Sequence, residues 1–131
     1  MLNEIEKSYI AGIIDGEGSV GVRKIVKSIL PRVQVGNTNF KLIKFLNDKC
    51  GGSIYSVKPK YKRWKSSWIW SLTGDKAIEF LIQIKSYLLL KKEQSDLVIN
   101  SYGLLEKEER LKVFNRMTLL NKKGVNQEIL N

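Results

Sequence analysis

At 131 residues, 43% hydrophobic and 27% charged, the chain has the size and balance of a single soluble globular domain with a real core. Its longest apolar run, Tyr87 to Leu90, is far short of a bilayer span, and Met1 to Lys7 lacks a signal-peptide layout, so no membrane partner is expected. Histidine is absent, which excludes His-dependent nucleases, Ser–His hydrolases and His-ligated zinc, and the lone Cys50, expected as a buried thiol, suits a reducing, intracellular setting.

Asn3 to about Asp15 reads as a helix, with Asn3 as N-cap and Glu6 three residues on. Ser19 to Lys27 is β-branched without helical period, and a second strand, Leu30 to Thr38, follows a turn near Ser28 to Pro31. Asn39 to Cys50 returns to helical spacing through Phe40, Ile43 and Leu46, and Gly51-Gly52 ends it. Ser53 to Lys60 and Ser66 to Thr73 form a second strand pair across the basic connection Tyr61-Lys62-Arg63-Trp64-Lys65. Asp75 is the expected N-cap of a helix carrying Ile78, Leu81, Ile82 and Ile84. Lys91 to Tyr102 and Leu105 to Asn121 are two further helices. The order predicts one α+β domain over residues 1–131, with a core at about 3–102, a helical segment at about 103–131, and helices covering one face of a four-stranded antiparallel sheet.

The net charge of +10 has an address. Between Gly18 and Gly74 stand twelve of the 23 basic residues and one of the 13 acids, Asp48. That is the electrostatic footprint of a nucleic-acid face. Strand alternation puts Gly21, Arg23, Ile25 and Lys27 on one side, with Val20, Val22 and Val26 opposed. Arg32 and Gln34 alternate with Val33 and Val35, and Ser56, Lys58 and Lys60 with Tyr55 and Val57. A merely solvated face would mix acids with lysines; here acids are missing. The expected binding set is Arg23, Lys27, Arg32, Gln34, Ser56, Lys58, Lys60, Arg63, Trp68 and Trp70. Core packing is expected for at least one tryptophan, and the sequence leaves open which face Trp68 and Trp70 occupy.

Tyr9-Ile10-Ala11-Gly12-Ile13-Ile14-Asp15-Gly16-Glu17-Gly18 carries the chemistry. Gly12 and Gly16 share a helical face beside Ala11, where small residues let two helix backbones approach closely. Asp15 and Glu17 sit at the helix C-terminus, which already bears partial negative charge. Something should compensate them, and a divalent cation is economical.

The stretch Ile10-Ala11-Gly12-Ile13-Ile14-Asp15-Gly16-Glu17-Gly18 resembles the LAGLIDADG motif of homing endonucleases. The likeness continues in Gln34-Val35-Gly36-Asn37 and in Tyr87-Leu88-Leu89-Leu90-Lys91-Lys92-Glu93-Gln94, similar to the family's FLxxKxxQ region, so it spans the chain to about Tyr102. The resemblance implies the αββαββα LAGLIDADG fold and hydrolysis of double-stranded DNA with Mg²⁺, Mn²⁺ being a substitute. It implies Glu17 as metal ligand, where the family more often has Asp, with the Gly16 carbonyl beside it. Lys91 falls at the lysine near the scissile phosphate, Asn37 where a Gln often positions water, and Lys41 where a basic residue often lies. Asp15 is expected to be structural, at the helix interface.

With one motif and no internal repeat, the resemblance implies a homodimer, as single-motif members of that family form, packed through Ala11, Gly12, Asp15 and Gly16. A strand of about nine residues at ~3.3 Å each spans roughly nine base pairs, so a dimer reads on the order of 20 base pairs as near-palindromic half-sites. Arg23, Arg32 and Gln34 have donors for base edges; Lys27, Lys58 and Lys60 suit phosphates. The alternatives are a maturase binding intron RNA and a DNA-binding regulator without nuclease activity. Eighteen lysines against five arginines, with many Asn and Ile, point to an AT-rich coding genome such as that of a mitochondrion or chloroplast.

Overall fold

The computed structural model describes residues 1–25, 28–63, 65–103 and 106–122. Helix α1, Glu4–Glu17, opens with a reciprocal capping box: Asn3 Oδ1 accepts from Glu6 N at 2.8 Å, and Glu6 Oε1 accepts from Asn3 N at 3.0 Å. Strands β1 (Gly18–Ile25) and β2 (Ser28–Asn37) follow, then α2 (Phe40–Cys50), β3 (Ser53–Val57) and β4 (Ser67–Thr73). Helix α3 (Gly74–Ile84), a 3₁₀ turn (Lys85–Tyr87), α4 (Lys92–Ser101) and α5 (Lys107–Leu120) complete the described residues. The element order is the expected one, and the sheet is antiparallel throughout, ordered β1-β2-β4-β3.

Register assigns the faces. Val20 pairs with Val33, Val33 with Leu72, and Val35 with Trp70, and all five are buried beneath the helices. They meet Ile10 and Ile14 of α1, Ile43 and Leu46 of α2, and Leu81 and Ile84 of α3, all fully buried. Each such side chain contributes about 1.5–3 kcal/mol of burial. Trp70 donates its indole N–H to the Gly51 carbonyl at 2.7 Å, so a large apolar body enters the core with its polar atom satisfied. Gly52 makes this possible: it holds φ +104°, and a Cβ there would lie 2.5 Å from the Ser71 carbonyl oxygen. Helices α4 and α5 flank β1, and Asn121 clips them to it by donating Nδ2 to the Val20 carbonyl at 3.0 Å and accepting from Gln94 at 3.3 Å.

Three boundaries differ from expectation. The Ser28 to Pro31 region is strand rather than turn, because β4 pairs only from Arg32 onward and the missing N–H of Pro31 costs no bond on that side. Strand β3 ends at Val57, three residues short of Lys60. Thr73, not Asp75, is the N-cap of α3; Asp75 lies in the first turn and accepts from the Tyr102 hydroxyl.

Candidate active site and nucleic-acid interface

The end of α1 delivers two carboxylates to different surroundings. Asp15 turns back into the fold and accepts three successive backbone N–H groups, from Leu89 at 2.7 Å, Leu90 at 3.0 Å and Lys91 at 2.9 Å. Lys91 is the N-cap of α4, its carbonyl accepting from Ser95 N at 3.0 Å. A nest of amides thus neutralises Asp15 without a metal, which corrects the expectation that both acids need a cation. The same bonds pin Lys91 to the helix that ends in Glu17, although 74 positions separate the two in sequence.

Glu17 is exposed at the last position of α1. With Gly16, Gly18, Ser19, Gln34, Gly36 and Ile69 it lines a hollow of about 410 Å³ between the helix end and the open sheet face. Asn37 and Lys41 do not join it. They line a separate, mostly apolar hollow of about 740 Å³ with Ile5, Tyr9, Leu42 and Phe45, and Asn37 Oδ1 accepts from Asn39 N at 2.7 Å. Among the described residues no three Asp, Glu or Cys side chains cluster as a metal site. The chain offers the Glu17 carboxylate and the Gly16 carbonyl, two oxygen donors of the kind magnesium prefers and fewer than its six-coordinate shell requires.

The exposed stripe of α1 runs through Ile5, which is 80% exposed, Ser8, Tyr9, Gly12 and Gly16. A Cβ built on Gly12 or Gly16 meets nothing within 4 Å. Ala11 does not belong with them: it is fully buried in the chain's own core, about 100° around the helix from Gly12, and so leaves the set expected at an interface.

On the open sheet face the register aligns Ser19, Gly21 and Arg23 of β1 with Arg32 and Gln34 of β2, then Ser71 and Ile69 of β4, then Ser53, Tyr55 and Val57 of β3. Arg23, Arg32 and Gln34 therefore lie where expected. Lys27 lies outside the described residues, as does Trp64. The assignment of β3 is inverted. Ser56 pairs with Trp68 and Ile54 with Trp70, which puts Ser56 on the helix side and Tyr55 on the open face. Trp70 is 0% exposed in the core, and Trp68 shares its face, packed edge-on against Phe40 at 5.2 Å between ring centroids. Neither tryptophan reaches the open face, so both leave the binding set with Ser56.

Lys58, Lys60 and Arg63 belong to the connection after β3, all exposed, with the Lys60 ammonium and Arg63 guanidinium 5.7 and 5.3 Å from the Tyr61 ring centroid. Val57 pairs with Ser67 at the end of the sheet where β2 finishes and α1 enters. The basic connection thus leaves the sheet at the Glu17 end. Sequence reasoning missed Tyr55; the signal was the Trp70–Leu72 alternation on β4, which fixes β3 once the two strands are paired in register.

No protein-family model matches the chain, and no curated protein matches its sequence significantly. Solved structures do match. The homing endonuclease I-CvuI in complex with the I-CreI target, its DNA uncleaved in 2 mM Mg, aligns at TM-score 0.69 and 17% identity over 94% of this chain and 87% of that one. The archaeal intron-encoded homing endonuclease I-Vdi141I in complex with DNA aligns at TM-score 0.67 and 20% identity, over 95% and 89%. The LAGLIDADG homing endonuclease I-GzeII, in complex with its DNA target, aligns at TM-score 0.59 and 19% identity over 98% of this chain and 48% of that chain. The chain has the fold of the LAGLIDADG homing endonucleases.

Proposed function

We propose that the chain is one subunit of a site-specific DNA endonuclease whose two copies bind a long, near-palindromic duplex and hydrolyse one phosphodiester in each strand. The observation that carries the reading is the Asp15 clamp. It fixes Lys91 to the helix that presents Glu17, at the edge of a basic sheet face.

Each part has physical support. Solved neighbours of the same fold hold DNA. Glycines at 12 and 16 weaken a helix by ~0.8–1 kcal/mol each relative to Ala, and nothing in their own protomer requires them small. A second copy packed there supplies the requirement. The chain of I-GzeII, about twice as long, fits the same arrangement in one polypeptide. Strand β2 has ten residues, roughly 33 Å at ~3.3 Å rise, or about ten base pairs per half-site.

Glu17 and the Gly16 carbonyl would hold magnesium, with the Glu17 of a second copy, phosphate oxygens and water completing the shell. When bound, the metal lowers the pKa of a coordinated water and offsets phosphate charge. Lys91 sets its ammonium against negative charge on the phosphate, and Asp15 keeps its main chain in place. Asn37 and Lys41, in the separate hollow beside Ile5 and Tyr9, stand outside this centre. Arg23, Arg32 and Gln34 read base edges; Lys58, Lys60 and Arg63 contact phosphates. Incubation with a randomised duplex library and magnesium, followed by sequencing of the cut ends, should return one near-palindromic site of about 20 base pairs. Binding of structured RNA with no cut duplex would instead support the RNA-binding reading.

A further inference from the structure

We infer that Tyr55 is a specificity-positioning residue that sets the orientation of the Gln34 amide, so that the pair selects adenine at one position of each half-site. The inference rests on the DNA-binding reading above. Gln34 and Tyr55 come from strands that do not touch: β2 and β3 are separated by β4. Across that gap Gln34 Nε2 donates to the Tyr55 hydroxyl at 3.1 Å. Both lie on the open sheet face, flanked by the small Ser19 and Ser71 opposite Gln34 and by Ile69 opposite Tyr55.

The chemistry follows from donor counting. A glutamine amide has two N–H donors and one carbonyl acceptor, and a free amide presents either end by rotating. The phenol oxygen occupies one N–H, which leaves the other N–H beside the Oε1 acceptor. That adjacent donor–acceptor pattern complements adenine in the major groove, whose N7 accepts and whose N6 amine donates. The reversed amide would present two N–H groups and suit guanine, with N7 and O6 both acceptors. Tyr55 thus does more than fill space between strands. In the orientation the structure shows, with the phenol oxygen accepting from Nε2, the adenine pattern is the one presented, and the ordering is made before DNA arrives. Gln34 also lines the hollow that holds Glu17, so the adenine falls among the base pairs of the half-site nearest the cleavage centre.

Binding selection from randomised duplexes, without added metal so that nothing is cut, tests this with the full chain and the Tyr55→Phe, Gln34→Ala and double variants. Tyr55 is exposed, so Phe keeps the ring and removes only the hydroxyl. Expected is a symmetric adenine preference in the wild type that Tyr55→Phe lowers by about 5- to 10-fold, with other positions and the salt dependence unchanged. Gln34→Ala should lose the same preference, and the double variant no more than Gln34→Ala alone. A guanine preference that Tyr55→Phe removes, an unchanged preference, or a uniform loss at every position overturns the inference while leaving the endonuclease reading intact. Failure of the wild type to select any duplex overturns both.

Discussion

Replacing Asp15 by Asn should loosen the candidate active site without unfolding the domain. The carboxylate accepts Leu89 N on one oxygen and Leu90 and Lys91 N on the other, at 2.7, 3.0 and 2.9 Å. Asparagine keeps one acceptor and turns the other into a donor, so one side of the clamp faces N–H against N–H. The charge that strengthens the remaining bonds also disappears. Hydrogen bonds to ionised groups contribute ~1.5–3 kcal/mol and neutral ones about 1, and solvent at this half-buried site discounts the difference, so the local loss is about 2–3 kcal/mol. That is less than a domain's usual 5–15 kcal/mol of stability but raises local opening of residues 89–91 by about 100-fold. Hydrogen exchange at those amides should accelerate while circular dichroism stays folded. Single-turnover cleavage of a selected duplex should fall at least tenfold at constant affinity, because Lys91 no longer has a fixed base. Unchanged exchange at Leu89 to Lys91, or wild-type cleavage, would refute the positioning role.

Gly12→Ala should raise monomer stability by about 0.8 kcal/mol, since no atom opposes the new methyl, whereas Gly12→Leu should convert a micromolar dimer to a folded monomer in sedimentation. An intact Gly12→Leu dimer would place the interface elsewhere. Lys58→Ala should weaken binding to all sequences alike and reduce the log–log salt slope by about one per phosphate contact, while Arg23→Ala should relax preference at one position per half-site. Identical, uniform losses from both would make the face an electrostatic platform only. Burial pushes the Cys50 thiol up to about 11, so its alkylation should be slow at neutral pH and climb toward pH 11; rapid labelling at pH 7 would contradict its placement.

The fold was largely legible because local signals agree. Asn3 and Glu6 cap the first helix as their spacing predicts, and Val33 and Val35 bury as alternation requires. What failed was parity on β3. Ser53 to Val57 carries no strong apolar alternation of its own, so its faces come from pairing with Trp70 and Leu72 on β4, a tertiary fact. The tryptophans were ambiguous for the same reason: an indole beside lysines suits a stacking surface or a core equally, and only the Gly51 carbonyl decides for Trp70. Small size alone could not separate Ala11, which the chain's own core covers, from Gly12 and Gly16, which it leaves open. The role of Asp15 was expected as structural, but its partners, Leu89 to Lys91, meet it only through folding.

The most direct test is cleavage of a duplex selected from the randomised library, in magnesium, by the wild type and by Glu17→Gln. Asp15 is held by backbone amides whereas Glu17 is exposed in the hollow at the end of α1, so removing the Glu17 charge while keeping its shape should abolish metal-dependent cutting and change little else. Cut ends in both strands are expected for the wild type, no detectable product for Glu17→Gln, and affinities for the same duplex within about threefold of each other. Cleavage by Glu17→Gln at near the wild-type rate would contradict the role given to Glu17.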